Sequence, residues 1–336
     1  TAENWNFKKD SIKNPFRFSV IGASALGAPS TFEEIILQYL NFGPKKVSPL
    51  AVINLSTNTA AGEVARIFNA KGPQYFLQEA CSAGTKALGL AYELIKNNVI
   101  DIAFVIGADS GIRPAVMASL ENLGAIVDAK WNETPEKASR PFDKLRSGFV
   151  PAEGSGCVIL ESLENALENG RNPIAEIIGF GATCDAYHPT APEPSAQSII
   201  ECIKMALKSA QIKPEEIDHI NAHGTGTLLN DIAETKAIKE VFGEHAYKIP
   251  ISANKSMIGH AWGAAGTIET IFSIKTILEE TIPPTINLEY PDPECDLNYV
   301  PQKAIKRKVK TVLKNSFGFG GINACLIIKV WEGGEK

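Results

Sequence analysis

One cysteine lies where a thiol could act as a nucleophile. Cys81 follows a short apolar run at residues 75–77 and precedes a stretch, up to Ile95, in which apolar residues recur at helical spacing. This pattern places the thiol at or just before the first turn of a buried amphipathic helix. Helix-start N–H groups stabilise an anion, so the position favours a thiolate and nucleophilic catalysis. The alternative is a packed core cysteine, because free Cys is among the most buried residue types.

Two of the five histidines lie in glycine-rich junctions. His223 opens His-Gly-Thr-Gly-Thr, and His260 lies within residues 254–266, where small residues permit close approach of backbone and ligand. A lone histidine is usually structural, but two in such loops, beside a cysteine at a helix start, make a Cys/His/His site a reasonable hypothesis. Residues 315–324 form another glycine loop. It is either a plain tight turn or a source of oxyanion-binding amides, with Phe319 as a wall or gate.

The composition excludes several classes of protein. The 336 residues are 44% hydrophobic and 21% charged, as in ordinary soluble proteins, and the net charge of −5 gives no support to nucleic-acid binding. No transmembrane stretch or signal-peptide core is present, so a cytoplasmic location without membrane attachment is the expectation. Six scattered cysteines without a C-x-x-C pair argue against zinc and disulfides. No glycine loop fits a nucleotide-binding fingerprint.

Alternating strands and helices must position these residues. Residues 16–24 and 100–109 read as buried strands that belong to a parallel sheet, and Ser30 reads as the cap of a helix. Residues 1–15 are polar and predict a surface arm. The order strand, special residue, small residues, helix occurs at Cys81 and again at His223. This recurrence predicts two related halves that meet near residues 165–172.

Taken together, these motifs resemble the elongating β-ketoacyl-[acyl-carrier-protein] synthases of type II fatty-acid synthesis, within the thiolase-like superfamily. The likeness spans residues 16–331 and is carried by residues 79–84, 139–143, 148–150, 153–156, 222–227, 254–260 and 315–321. Histidine in both motifs, with a lysine five residues before the second, is the elongating pattern. Initiating synthases instead pair Cys with His and Asn, and thiolases use a second Cys.

The resemblance implies roles for individual residues. Its catalytic positions match Cys81 as nucleophile, His223 and His260 as paired histidines, Lys255 as a supporting cation and Phe319 as a gate. Its substrate-binding positions match Leu26, Phe149, Thr225 and Thr227. Its supporting acidic positions match Asp231, Glu234 and Glu269. It implies neither a metal nor an organic cofactor.

The fold that the resemblance implies is α/β, a five-layered α-β-α-β-α arrangement of two similar halves, residues 1–165 and 166–336. The implied reaction is the decarboxylating condensation of an acyl-enzyme with malonyl-acyl carrier protein. The implied assembly is a homodimer formed through the strand at residues 74–78, and Lys45 and Lys46 are candidate contacts for an acidic carrier protein. The resemblance implies no nucleic-acid partner.

Two other functions remain open from the sequence. One is a polyketide-type ketosynthase with a different acyl pocket. The other is a non-catalytic partner or fragment of such a synthase, because relatives carry a further N-terminal segment ahead of residue 16. Without that segment the first sheet would have an unpaired edge, so we expect reduced stability and activity unless another chain or the arm at residues 1–15 covers it.

Overall fold

The computed structural model describes Phe7 and residues 12–333, which form two compact units. The first unit comprises the chain up to Leu120 with Ala152–Arg171 and Ala261–Thr267. The second comprises Glu121–Pro151, Asn172–His260 and the chain from Ile268 onward. Neither unit is one continuous segment. The sequence-based division at residues 165 and 166 into two related halves stays a prediction.

The first unit contains a four-stranded mixed sheet in the order β2-β1-β3-β4. Its strands are β1 (Phe18–Ala23), β2 (Tyr75–Leu77), β3 (Ile102–Asp109) and β4 (Gly154–Glu161). β1 pairs in parallel with both β2 and β3, whereas β4 pairs with β3 in the antiparallel sense. The two predicted buried strands are therefore confirmed as parallel neighbours.

Six helices, α1 to α6, lie wholly or mostly in the first unit. They are α1 (Pro29–Phe42), α2 (Ala51–Leu55), α3 (Asn58–Phe68), α4 (Ala83–Lys96), α5 (Pro114–Asn122) and α6 (Leu163–Glu168). α4 buries Ala87, Leu88 and Ala91 completely, which is the amphipathic helix predicted after Cys81. Ser30 does not cap α1: the helix begins at Pro29, its N-cap is Ala28 and no side chain bonds the cap. Proline at the first helical position supplies the helix start instead, because its φ is already suited to a helix.

Phe7 packs into the core of the first unit. Its ring centroid lies 5.0 Å from that of Phe104 and 5.7 Å from that of Phe18, and the side chain is 7% exposed. The prediction of a surface arm at residues 1–15 is thus wrong at Phe7, because burial of a large aromatic ring against other rings is favourable. Residues 1–6 and 8–11 of that arm lie outside the described residues.

The second unit contains a five-stranded mixed sheet in the order β5-β11-β10-β6-β7. Its strands are β5 (Ala175–Cys184), β6 (His219–Asn221), β7 (Ile251–Ser252), β10 (Thr311–Gly318) and β11 (Ile322–Val330). β8 (Thr281–Ile282) and β9 (Ile305–Lys306) form a separate antiparallel ladder. β6 is parallel to β7 and β10, and β11 is antiparallel to β10 and β5.

Helices pack on this second sheet. They are α7 (Gln197–Ala210), α8 (Leu228–Phe242), α9 (Lys255–Ile258) and α10 (Ala265–Glu279), of which α10 begins in the first unit. The apolar face of α7 packs in the core with Ile220 of β6 and Cys325 of β11. Mixed sheets covered by helices confirm the predicted α/β class. No helix in the described part of the chain is both long and apolar enough to cross a lipid bilayer.

Candidate active site

Cys81 lies in the turn that joins β2 to α4, as predicted. The side chain is 8% exposed, and the turn Ala80–Ser82 leads directly into α4. Ala80 has a φ of 46°, in the left-handed region that residues with a Cβ rarely adopt. Such a conformation costs about 1–2 kcal/mol and occurs preferentially at functional sites. The backbone immediately ahead of the candidate nucleophile is therefore strained.

Close backbone packing fixes the first turn of α4. A Cβ at Gly84 would lie 2.6 Å from the carbonyl oxygen of Gly263 and 2.9 Å from the backbone nitrogen of Thr267. Backbone atoms cannot move aside as a flexible side chain would, so only glycine fits. The helix start that follows Cys81 is thereby held against residues 261–267 of the same unit.

A buried carboxylate holds the loop that carries His223 after β6. The backbone N–H groups of His223 and Gly224 donate to the two oxygens of Glu234 at 2.8 and 2.9 Å. Asn315 donates to the same carboxylate at 3.0 Å. Gly224 has a φ of 42°, and a Cβ there would lie 2.5 Å from Ala253. Glu234, on α8, therefore fixes both the position and the turn of the His223 loop.

Asp231 secures the continuation of that loop. Its carboxylate accepts the N–H groups of Gly226 at 3.2 Å and Phe142 at 2.8 Å, and lies 3.6 Å from Nε of Arg146. All of these contacts are buried. Burial raises the pKa of Asp231, and the charge of Arg146 opposes that rise. The acidic positions expected behind the first histidine thus support its loop through backbone hydrogen bonds.

His260 and Lys255 come from the segment around α9. The ring centroid of His260 lies 5.5 Å from that of His223, with the planes at 84°. Nζ of Lys255 donates to the backbone oxygen of His223 at 2.6 Å, lies 3.4 Å from its Nδ1 and forms an ion pair with Glu269 of α10. The two predicted histidines and the predicted cation are therefore adjacent within the second unit.

The environment keeps both imidazoles uncharged. Burial lowers the pKa of His223 and of His260 well below the usual value of 6.5, and the charge of Lys255 lowers each further. A nearby cation disfavours a second positive charge, as does removal from water. At neutral pH each ring thus offers one N–H donor without carrying charge, which suits the binding of a developing oxyanion or enolate.

This chain is similar to known proteins in both its sequence and its fold. The chain matches the family models described as "Beta-ketoacyl synthase, N-terminal domain" over residues 3–166 and "Beta-ketoacyl synthase, C-terminal domain" over residues 174–289. It is 43% identical to 3-oxoacyl-[acyl-carrier-protein] synthase 2 of Coxiella burnetii, across 94% of this chain and 76% of that protein. This chain belongs to the β-ketoacyl synthase family. The Synechocystis protein of the same name is 42% identical, across 95% of this chain and 76% of its own length.

Solved ketosynthases share the fold of this synthase. One is a ketosynthase, bound to a hexaketide, in complex with its type II polyketide acyl carrier protein; it is 36% identical with a TM-score of 0.95, across 99% of this chain and 82% of that one. A β-ketoacyl synthase from Burkholderia phymatum is 31% identical with a TM-score of 0.91, across 98% of this chain and 79% of that one. The predicted thiolase-like α/β fold is confirmed.

The remaining predicted positions of the synthase lie as follows. Phe319 is half-buried in the turn between β10 and β11. Thr225 and Thr227 share a hydrogen bond of 3.0 Å between their hydroxyl groups, in the loop after His223. The ring of Phe149 packs edge-on to His260 at 5.3 Å. Thr225, Thr227 and Phe149 therefore lie in, or in contact with, the segments that carry the histidines.

Leu26 lies in the first unit, as does Cys81. Its backbone N–H donates to the buried carboxylate of Asp109 at 3.1 Å. A Cβ at Gly111 would lie 2.2 Å from Cδ1 of Leu26, so a larger residue there would displace the Leu26 side chain. A structural role for Leu26 is thus visible, and its substrate-binding role stays a prediction.

Sequence reasoning missed Lys314. This residue lies on β10, has no exposed surface, and places its Nζ 3.0 Å from Oε2 of Glu269. A lysine directly after Val312 and Leu313 was the signal that could have found it, because an isolated charge is costly in a buried strand. Within the described residues, no group of three or more His, Cys, Asp or Glu side chains is arranged to hold a metal ion.

Proposed function

We propose that this β-ketoacyl synthase joins an acyl group held on Cys81 to the two-carbon unit of malonyl-acyl carrier protein, with loss of CO₂. This is the elongation step of type II fatty-acid synthesis. The observation that carries the proposal is the pair of buried neutral rings, His223 and His260, with the ammonium group of Lys255 at 2.6 Å from the His223 backbone. Relatives named 3-oxoacyl-[acyl-carrier-protein] synthase 2 support the reaction class.

The first half-reaction transfers an acyl group. The Cys81 thiolate attacks the thioester carbonyl of acyl-carrier protein, and the tetrahedral intermediate expels the carrier thiolate, which takes up the proton lost from Cys81. We expect the backbone N–H groups of Cys81 and Phe319 to stabilise the oxyanion. The turn that carries Cys81 leads into the start of α4, where the positive end of the helix dipole favours the thiolate.

The second half-reaction forms the carbon–carbon bond. His223 and His260 donate to the thioester carbonyl of malonyl-carrier protein, so loss of CO₂ leaves an enolate held by two neutral donors. The enolate carbon attacks the acyl-Cys81 carbonyl, and collapse of the intermediate releases β-ketoacyl-carrier protein and the Cys81 thiolate. Neutral donors matter here because an imidazolium would protonate the enolate.

Intact-mass analysis combined with product analysis tests this function. The purified chain is incubated with acyl-carrier protein, and its mass is expected to rise by one acyl group. Malonyl-carrier protein is then added, and the acyl group is expected to leave as β-ketoacyl product. No adduct and no product would instead support a non-catalytic partner or fragment.

A polyketide-type synthase is a second candidate, favoured by the 36% identity and TM-score of 0.95 to the hexaketide-bound ketosynthase. The two functions differ in the acyl group that is elongated. Rates with saturated acyl-carrier proteins of increasing length are compared with rates for poly-β-keto thioesters. Faster turnover of saturated chains supports fatty-acid elongation. Faster turnover of poly-β-keto thioesters supports a polyketide-type function.

The acyl carrier protein is the proposed partner. A solved ketosynthase in complex with its acyl carrier protein, 36% identical to this chain, supports this partner. Lys45 and Lys46 are exposed in a turn between α1 and α2, where they are available to an acidic surface. Replacing both with Glu should raise KM for carrier-bound substrate while leaving turnover of a small acyl thioester unchanged.

A homodimer is the proposed assembly. β2 ends the described sheet of the first unit, and an edge strand can pair with another chain. Leu40, Val52 and Ile67, on α1 to α3, are 69, 73 and 55% exposed, an apolar surface typical of association. Light scattering is expected to give the mass of two chains. Val52→Asp should yield monomers, whereas Leu167→Asp, on exposed α6, should not.

A further inference from the structure

Lys314 is a lysine inside the core of the second unit. It lies on β10 between Leu313 and Asn315, and none of the three has exposed surface. Removing an ammonium group from water costs several kcal/mol, so a buried lysine needs close polar partners. Its Nζ lies 3.0 Å from Oε2 of Glu269 and donates to the hydroxyl of Ser316.

Glu269 already has another cation. Lys255 pairs with Oε1 of the same carboxylate, and the side chains of Lys255, Glu269 and Lys314 are at most 1% exposed. Two lysines thus share one carboxylate, and burial lowers the pKa of Lys314 while Glu269 opposes that change. A core without Lys314 would retain a neutral ion pair, and replacing a buried charge by an apolar side chain is often stabilising. The extra cation therefore points to function.

We propose that Lys314 is a positioning residue for the condensation: it occupies Oε2 of Glu269, confines Lys255 to Oε1 beside His223, and adds a second charge that keeps the paired histidines neutral. This proposal rests on the roles of His223 and His260 given above. Lys314 acts through Glu269 and Lys255 and through its field, without touching the substrate.

Charged and titratable groups from several elements either act on the two imidazoles, as the two lysines do, or lie next to the residues that do. Those groups lie on α8, α9, α10, β10 and β11 and are Asp231, Glu234, Lys255, Glu269, Lys314 and Cys325. The carboxylates are each bonded elsewhere: Glu234 accepts backbone N–H groups, and Glu269 is shared by the two lysines. The lysines are thus the charges that oppose formation of an imidazolium.

The direction of the effect follows from electrostatics. Burial is the main cause of the lowered pKa of both histidines, and the charges of Lys255 and Lys314 each lower it further. Removing the charge of Lys314 must therefore raise both pKa values. For a charge lost at close range in a buried site, we expect a rise of about one pH unit.

Histidine titration by NMR in the full chain tests this without relying on activity. The imidazoles of parent, Lys314→Met and Lys314→Gln are followed with pH, and resonances are identified by replacing each histidine in turn. We expect His223 and His260 to protonate about one pH unit higher in both variants. The titration of His219, whose pKa is lowered to about 4 by burial and by the charge of Arg307, should stay at its parental pH.

Two further variants separate charge from packing. Lys314→Arg keeps the charge and should restore the parental titration of both imidazoles. Lys310→Met removes an exposed lysine from the start of the same chain segment and should have no effect. If Lys314→Met does not fold, the test is made with Lys314→Gln, because its amide can still donate hydrogen bonds to Ser316 and Glu269.

Measurements of activity distinguish a failure of the Lys314 proposal from a failure of the proposed function. The acidic limb of the condensation rate should move to higher pH with the imidazoles, while acyl transfer to Cys81 keeps its parental pH profile. A parent that makes no β-ketoacyl product overturns the proposed function and the role of Lys314 in it, even if the titration shifts. Imidazoles that titrate at the parental pH in both neutral variants overturn the Lys314 proposal alone.

Discussion

The ammonium group of Lys255 donates a hydrogen bond to the backbone oxygen of His223 at 2.6 Å, with both residues buried. The cation thus holds the main chain of the histidine and repels a proton from its ring. A positioned charge of this kind can act on the ring only if the loop and α9 keep their places.

Replacing Lys255 with Met should lower the condensation rate by about a hundredfold, because the His223 loop loses a donor and the rings lose a charge that keeps them neutral. The rate is measured with malonyl-carrier protein on the acyl-enzyme. Lys248→Met, at an exposed lysine that follows α8, should behave as the parent. A Lys255→Met variant with the parental rate would remove Lys255 from the mechanism.

Replacing Cys81 with Ala should abolish acyl-enzyme formation and condensation and leave the melting temperature near that of the parent. A small side chain fits the same turn, and the substitution removes the nucleophile. Intact mass after incubation with acyl-carrier protein provides the measurement. Cys184→Ala, at an exposed cysteine, should acquire the adduct normally. Condensation by Cys81→Ala with long acyl thioesters would show that another group is the nucleophile.

Replacing either His223 or His260 with Ala should slow decarboxylation of malonyl-carrier protein by about a hundredfold or more, and slow acyl transfer less. Each histidine is expected to supply one of the two donors on which the enolate depends. Release of CO₂ and acylation of Cys81 are measured separately. His188→Gln, at an exposed histidine, is the control. Parental decarboxylation in either Ala variant would rule out the two-donor scheme.

Replacing Glu234 with Gln should lower the free energy of unfolding by about 1–3 kcal/mol, since an amide cannot accept from both backbone N–H groups and one becomes unsatisfied. Displacement of the His223 loop should also reduce condensation. Urea unfolding provides the measurement. Glu240→Gln changes an exposed residue of the same helix and should be neutral. Equal stability of the two variants would show that the carboxylate is not what holds the loop.

Buried neutral histidines should make the fold sensitive to acid. Burial lowers the pKa of His219 from 6.5 to about 4, so on acidification the unfolded chain takes up this proton first and stability falls with pH. Between about pH 6 and pH 4.5 this histidine should contribute a slope of about 1.4 kcal/mol per pH unit. His219→Gln should remove that slope from urea unfolding, and His188→Gln should not. An unchanged slope in His219→Gln would contradict a neutral His219.

Much of the site follows from the sequence because its residues lie in local patterns. The strand, turn and helix around Cys81 are encoded by an apolar run followed by residues at helical spacing, and the structure places the thiol at that helix start. Glycine-rich junctions mark His223 and His260 for the same local reason: backbone turns and close contacts require glycine. The family motifs then supplied Lys255, Asp231 and Glu234.

Contacts between segments that are distant along the chain could not be predicted from such local patterns. Ser30 has the composition of a helix cap, yet Pro29 begins the helix; Phe7 lies in a polar segment, yet it packs against Phe104. In both cases contacts with other parts of the chain outweigh the local preference of the residue. Periodicity and capping rules report only on neighbours in sequence, and these outcomes depended on neighbours in space.

The sequence by itself determined the α/β class, the order of the elements and the two histidine loops, because each depends on residues close along the chain. Only the tertiary structure decided which charged residues lie behind those loops. Lys314 and Lys255 are 59 positions apart, the difference of their numbers, and both pair with Glu269 because β10 and α9 converge on this residue of α10. The protonation state of a buried imidazole depends on every charge near it in space, and spacing along the chain does not predict which charges those are.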